Sequence, residues 1–441
     1  MNLNFNELFS KSLALLKNSS VKKILGAIFT QGLLSLISFV ISLFLTRYSD
    51  KAEYGIYVVL FSIMGIAGNF QNAFANSPVT VLFGKKTEKE KKDLISGMGI
   101  IQIIAIAILS VVSILPVLIY SAVGSNYDFF LKYIVFILAT AMFLSKEYLR
   151  TVNYISLQVK KVIRMDVIYS AVVMIIILMF LWINMINCTT AIFALFVGYI
   201  FSTIIGYVSF DFKFRFSIES IKKSLAETFV YSKWAILGVI AGTLQNRGYI
   251  YIVSSMLSLN DTADIAAARL LMMPVGLIET SSIKIVVSKG ADILARSTLK
   301  KFKKFILLMT IFLISVCLSY SLFLFVFYRP VVSLLGEKYQ NILFMVVLWS
   351  IFFVFNTVRF PIKNSLILFK EFRIVTINDV ICGILTLLCC FVMTKYYGKV
   401  GALLSQISGE ILLMTLSLFQ YFIVLKKYEK SEINSTKISM T

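Results

Sequence analysis

The 441-residue chain has no histidine, only five prolines, three tryptophans and five cysteines, and about half as many acids as bases, 22 against 43. Without histidine, no side chain titrates near neutrality unless its environment shifts it, so imidazole-based acid–base chemistry is excluded. The cysteines, Cys188, Cys317, Cys382, Cys389 and Cys390, lie in or beside apolar stretches without metal-ligand spacing and read as packing residues. No Walker A, GxGxxG or metal-ligand motif is present. No cofactor is therefore expected, and an ATP-driven step would need a separate subunit. Residues 1–23 are too polar for a signal-peptide core and read as an amphipathic helix on the inner membrane surface.

What the chain has is apolar length. It is 59% hydrophobic, with a mean hydropathy of +0.88. Stretches of about 20 residues or more, each long enough to span a bilayer core, recur along it. Twelve are expected, near 24–46, 55–83, 94–122, 130–157, 166–187, 189–210, 234–258, 265–288, 305–328, 341–368, 374–394 and 400–425. The fold class is an all-α integral membrane protein.

A net charge of +21 would suggest nucleic acid in a soluble protein, but its distribution points elsewhere. Twenty-nine of the 43 lysines and arginines fall in alternate connections and at both ends of the chain. Seven (Arg47, Lys51, Lys132, Arg329, Lys338, Lys395, Lys399) fall in the other connections, and seven fall inside the spans. The positive-inside rule places both termini in the cytoplasm of a multi-pass inner-membrane protein, with no nucleic-acid partner.

The seven cations within spans are Lys146, Arg150, Arg247, Arg269, Lys284, Arg359 and Lys363, against four acids, Glu147, Glu279, Asp379 and Glu410. Charge at membrane depth costs several kcal/mol and marks function by default. The positive excess suggests an anionic substrate. Depth ranks Arg150, Arg247 and Arg359 first, then Lys146 and Lys363. Arg269 and Lys284 lie near span ends, within snorkelling reach. Lys146, Arg150 and Asn153 share one helical stripe, and Asn356, Arg359 and Lys363 another. The bland reading is that these stripes pack against helices that supply acids or carbonyls. Arg247 and Glu279 lie at similar depth on adjacent spans, which allows a salt bridge, either structural or broken by substrate or a proton. Glu279, Asp379 and Glu410 are the candidates for ion coupling or charge pairing. Gln31, Gln71, Asn72 and Asn76 add polar groups to the first two spans, where interhelical hydrogen bonding is the favoured role. Pro78 and Pro274 permit bending.

The chain contains one unit twice. Ile24-Leu25-Gly26 reappears as Ile236-Leu237-Gly238, and Ala52-Glu53 as Ala263-Asp264. Arg150, Ser156, Leu157, Lys161 and Arg164 match Arg359, Ser365, Leu366, Lys370 and Arg373, 209 residues on. Amphipathic segments at 1–23 and 216–230 open the two halves. Two six-helix lobes follow, 1–215 and 216–441, in a parallel repeat around a central cavity. The outer connections are too short for an external catalytic domain, so an enzyme such as an embedded glycan polymerase is disfavoured.

Gly26, Gln31, Leu45-Thr46-Arg47 and Glu53-Tyr54-Gly55-Ile56-Tyr57 resemble the opening of polysaccharide-biosynthesis flippases. These are the O-antigen and capsule lipid-linked oligosaccharide translocases of the MATE-like MOP superfamily. The motif is loose and covers roughly residues 22–85. The resemblance implies two lobes around a cationic lumen that takes a polyprenyl-diphosphate-linked glycan, driven by an ion gradient. Of single residues it carries over only Arg47. The expected lumen cations are then Arg47, Lys146, Arg150, Arg247, Arg359 and Lys363. The expected partners are the glycan, membrane lipid and a polymerase or export protein, for a chain acting as a monomer. The main alternative is a cation-coupled multidrug antiporter of the same superfamily, which needs lumen carboxylates; the first span has none between Ile24 and Thr46.

Overall fold

The computed structural model describes residues 19–84, 86–123, 127–208 and 217–438. Most of the expected surface helix at 1–23 lies outside them. The described chain is helical: α1 Ser19–Tyr48, α2 Lys51–Gln71, a π-helical turn Asn72–Asn76, α3 Ser77–Phe83, α4 Glu88–Val123, α5 Tyr127–Ile155, α6 Val159–Trp182 and α7 Cys188–Val208. Then come α8 Ile218–Met256, α9 Leu259–Leu271, α10 Met273–Arg296, α11 Leu299–Val326, α12 Tyr328–Ser333, a 3-10 turn Glu337–Tyr339, α13 Leu343–Leu368 and α14 Phe372–Ile438. Among the described residues eight helices are long and apolar enough to cross a membrane, or nine if α9 and α10 form one bent span. Long apolar side chains such as Ile103, Ile108, Leu322 and Leu388 point outward. That is the reverse of a water-soluble surface and suits hydrocarbon.

Two expected spans have breaks that periodicity did not reveal. The second contains the π turn, after which Pro78 opens α3. The eighth is two helices bent by 57°, with Pro274 in the first turn of α10. Proline is tolerated there because first-turn amides have no intrahelical acceptor to lose. The last two spans are joined with only Gly398 out of helical geometry (φ 57°). The expected amphipathic segment at 216–230 is not a separate element: from Ile218 it forms the first turns of α8.

The chain divides into two compact units, residues 1–41 with 63–236, and residues 42–62 with 237–441. In unit 1, α5, α6 and α7 pack most extensively. Gly198 admits Tyr169 and Val173, and Tyr169 stacks on Tyr199 at 5.0 Å. An apolar cluster of Val79, Leu94, Ile95, Met98, Tyr148 and Val152 joins α3, α4 and α5. In unit 2, α13 packs chiefly on α14 and α11. Its cluster includes Phe302, Ile306, Ile362, Leu366, Phe369 and Tyr421.

One turn occurs in both units. Amides of Ser156, Leu157 and Gln158 donate to the carbonyls of Val152, Tyr154 and Asn153, between α5 and α6. Phe369, Lys370 and Glu371 donate to Ser365, Ile367 and Leu366 in the same pattern, between α13 and α14. Leu157 (φ 59°) and Lys370 (φ 64°) occupy the left-handed position of each, 213 residues apart. The repeat offset is thus 213 in this region, not the 209 of the sequence matches. The difference is about one helical turn, so a helix-on-helix match at 209 still puts similar residues on one face. Lys146 and Arg150 correspond to Arg359 and Lys363, and Asp166 to Asp379.

Candidate functional site

The α5–α6 turn brings Asp166 back alongside the α5 stripe. Arg150 Nε donates to Asp166 Oδ2 at 3.0 Å, and its Nη1 lies 3.5 Å from Glu147. Lys146 Nζ is 3.3 Å from Glu147 and 3.6 Å from Asp166, and sits 4.6 Å from the ring centre of Tyr169. Lys146 and Asp166 are fully buried. Two cations and two carboxylates thus neutralise one another inside unit 1. Asn153 donates to its own helix, to the Leu149 carbonyl at 2.9 Å.

The second hairpin repeats the cations with different counterions. Arg359 Nε donates to Glu410 Oε1 at 2.5 Å and Nη2 to Oε2 at 3.4 Å. Lys363 Nζ donates to Asp379 at 2.6 Å. Asn356 presents its amide to Glu279; with the nitrogen turned to the carboxylate it donates to Oε2 at 3.1 Å. Glu279 is buried, and among the described residues no lysine or arginine lies within ion-pair distance of it. The expected excess of positive charge on both stripes is therefore not found. Each stripe is balanced by acids, because an unpaired ion at this depth costs several kcal/mol.

The Arg247–Glu279 bridge that the layout allows does not form either. Arg247 Nη1 turns to the carbonyl of Ser62 at 3.3 Å, while Glu279 faces α13. A second arginine, Arg269, reaches the backbone next to Arg247 in the chain. Arg269, three residues before the α9–α10 break, donates to the Asn246 carbonyl at 3.3 Å and to the Tyr249 hydroxyl at 3.1 Å. Its guanidinium stacks over Trp349 at 4.9 Å. Among the described residues neither arginine has a carboxylate within ion-pair distance, and both are partly exposed. Two uncompensated guanidiniums beside a broken span suit an anion with several oxygens.

Of the other expected groups, Gln71 donates to Gln102 and to the Leu144 carbonyl, both at 2.7 Å, and Gln102 donates to Asn76 at 3.3 Å. These are interhelical hydrogen bonds around the π turn, as favoured above. Gln31 and Asn72 are exposed. Arg47 ends α1, exposed, over Tyr48 at 5.7 Å. The Lys284 side chain lies outside the described ones. Asp166 opens the expected fifth span, 166–187, and was missing from the four acids set against the cations. Its equal distance with Arg150 from Gln158 was the available signal.

Residues 20–288 match the family described as polysaccharide biosynthesis protein. The chain belongs to that family. Solved structures place it in the same fold as MOP-superfamily transporters. An inward-facing multidrug resistance MATE transporter aligns with TM-score 0.70 at 13% identity, over 90% of this chain and 95% of its own. The lipid II flippase MurJ, inward closed, aligns with TM-score 0.70 at 14% identity, over 91% and 87%. A MOP transporter from Pyrococcus furiosus, described as having a binding pocket of reverse polarity, aligns with TM-score 0.63 at 10% identity, over 91% and 94%. No protein of curated function matches. In this member of the polysaccharide biosynthesis family part of the opening motif serves packing. Tyr54 and Tyr57 are buried, and Gly26 lets α1 approach Val159 and Ile163 of α6.

Proposed function

We propose that the chain is a flippase that moves a polyprenyl-diphosphate-linked oligosaccharide across the cytoplasmic membrane by alternating access. In this reading twelve spans in two six-helix lobes, 1–215 and 216–441, keep both termini inside. The Arg247–Arg269 pair holds the diphosphate. The observation that carries the reading is the contrast in compensation: Lys146, Arg150, Arg359 and Lys363 have carboxylate partners, whereas these two arginines have carbonyl, hydroxyl and aromatic ones. Family membership supports a glycan substrate, and a diphosphate supplies oxygens that match two guanidinium forks. The hairpin cations then serve to hold their helices. Asp379 and Glu410 are occupied by cations, which leaves Glu279 as the carboxylate for a coupling proton or sodium ion.

Glu279 also supports a second reading, a cation-coupled multidrug antiporter, in which a buried carboxylate attracts the cationic drug. One experiment separates the two. Purified Arg247→Ala and Arg269→Ala should each bind a short-chain polyprenyl diphosphate about tenfold or more weakly, the loss of one charge-assisted contact. Both variants should also fail to restore surface-glycan export in cells lacking the protein. Glu279→Gln should keep lipid diphosphate binding while losing ion-dependent turnover. Wild-type diphosphate affinity in both arginine variants, with loss of cationic-drug binding in Glu279→Gln, would sink the flippase reading.

A further inference from the structure

We infer that residues 46–57, from the first half of the sequence, form a latch with three second-half segments that closes one end of unit 2 and opens during transport. The inference rests on the alternating-access reading, but its geometry is independent of any substrate.

Asp264, on α9, is gripped by two lysines far from it in sequence. Lys51 Nζ donates to Oδ1 at 2.8 Å and Lys399 Nζ to Oδ2 at 2.7 Å. Lys399 also lies 3.4 Å from Asp261. Lys338 donates to the carbonyl of Ser49. Lys51 and Lys338 stand 5.1 and 5.8 Å from the ring centre of Tyr339, against which Tyr54 packs edge-on at 6.4 Å. Glycine allows the approach at two points. A Cβ on Gly55 would overlap the Leu259 carbonyl, and Gly336 (φ +99°) passes the backbone of Thr46 and Arg47.

These contacts are of a kind that can separate. The charged groups ride on flexible stems from Lys51 at the start of α2, Lys338 in the 3-10 turn and Lys399 beside the Gly398 kink of α14, and Lys51 and Lys399 keep 28% and 33% of their side-chain exposure against 9% for Asp264. Opening must hydrate the buried Asp264 carboxylate as its lysines turn to water, but it leaves no apolar cavity of the kind that parting the cluster around Phe302 would. The chain also links the latch to unit 1. Both α1 and α2 pass unbroken from residues of unit 1 to residues 42–62 of unit 2. A rigid displacement of unit 1 is therefore transmitted to residues 46–57. Lys51, Lys338 and Lys399 are moreover three of the seven cations that the charge distribution places outside.

The test needs no substrate. Cys188, Cys317, Cys382, Cys389 and Cys390 are first replaced by alanine, and Ser49→Cys, a buried latch position, then reports by its reaction with a membrane-impermeant maleimide added from outside. Adding Asp264→Asn should speed labelling about five- to tenfold, the loss of a networked pair of charge contacts. Reversing the network, Asp264→Lys with Lys51→Asp and Lys399→Asp, should restore protection. Ser170→Cys, buried in unit 1, should stay unreactive throughout. Unchanged labelling in Asp264→Asn overturns the latch, and so does equal labelling of Ser170→Cys, which would mean general loosening. A protein that shows the expected labelling but binds no polyprenyl diphosphate would keep the latch and lose the flippase reading.

Discussion

The α5–α6 and α13–α14 hairpins place the same kinds of cation at the same register about the same turn, yet neutralise them differently. In the first, Glu147 and Asp166 are shared by both cations within a two-helix motif. In the second, each cation has its own acid, and Arg359 takes Glu410 from 51 residues away. The second hairpin also has Glu279 beside Asn356, a carboxylate with no counterpart in the first. The positions of the cations are thus a property of the repeated hairpin, while the identity of the counterion is not. Neutralisation is the constraint, and packing can meet it from any adjacent helix. Among the described residues it is not met at Glu279, which faces the Asn356 amide, nor at Arg247 and Arg269, whose partners are carbonyl, hydroxyl and aromatic groups.

Three substitutions test this comparison. Asp166→Ala should have the largest effect, about 3 to 5 kcal/mol of stability, because it leaves two buried cations with one acid. Urea or thermal unfolding in detergent measures it. A loss below about 1 kcal/mol would mean that Glu147 alone suffices. Next, Arg359→Lys should cost about 1 to 2 kcal/mol, since lysine cannot reproduce the two-pronged contact with Glu410. A neutral outcome would make the pair a point-charge contact like that of Lys146. The smallest effect is expected for Lys363→Met, within about 1 kcal/mol, because its pair with Asp379 remains partly exposed. A larger loss than for Arg359→Lys would mean that burial does not set the order of the two pairs.

Much of the fold was legible because membrane insertion writes it into local sequence. Apolar length marks the helices. The opening motif pointed to the polysaccharide flippases, which the family match supports. The stripes Lys146/Arg150 and Arg359/Lys363 were also readable, as was the hydrogen-bonding role of Gln71 and Asn76. The partners of the cations were not. Arg269 stood last because its distance from a span end allowed snorkelling, whereas its guanidinium turns to the Asn246 carbonyl, the Tyr249 hydroxyl and Trp349, and the nearby break at Met272 leaves little mark beyond Pro274. Asp166, at the very start of the expected fifth span, was passed over, although the hairpin folds it onto Arg150.

The sequence by itself determined the hydrophobic periods, the number of charges within them and the repeated hairpin, because each depends on residues near one another in the chain. Only the tertiary structure decided which charges cancel. Ion pairing falls away within a few ångströms in position but has no preferred separation in sequence. Arg359 finds Glu410 and Lys51 finds Asp264, while Arg247 lies near Glu279 in the chain's layout and does not meet it.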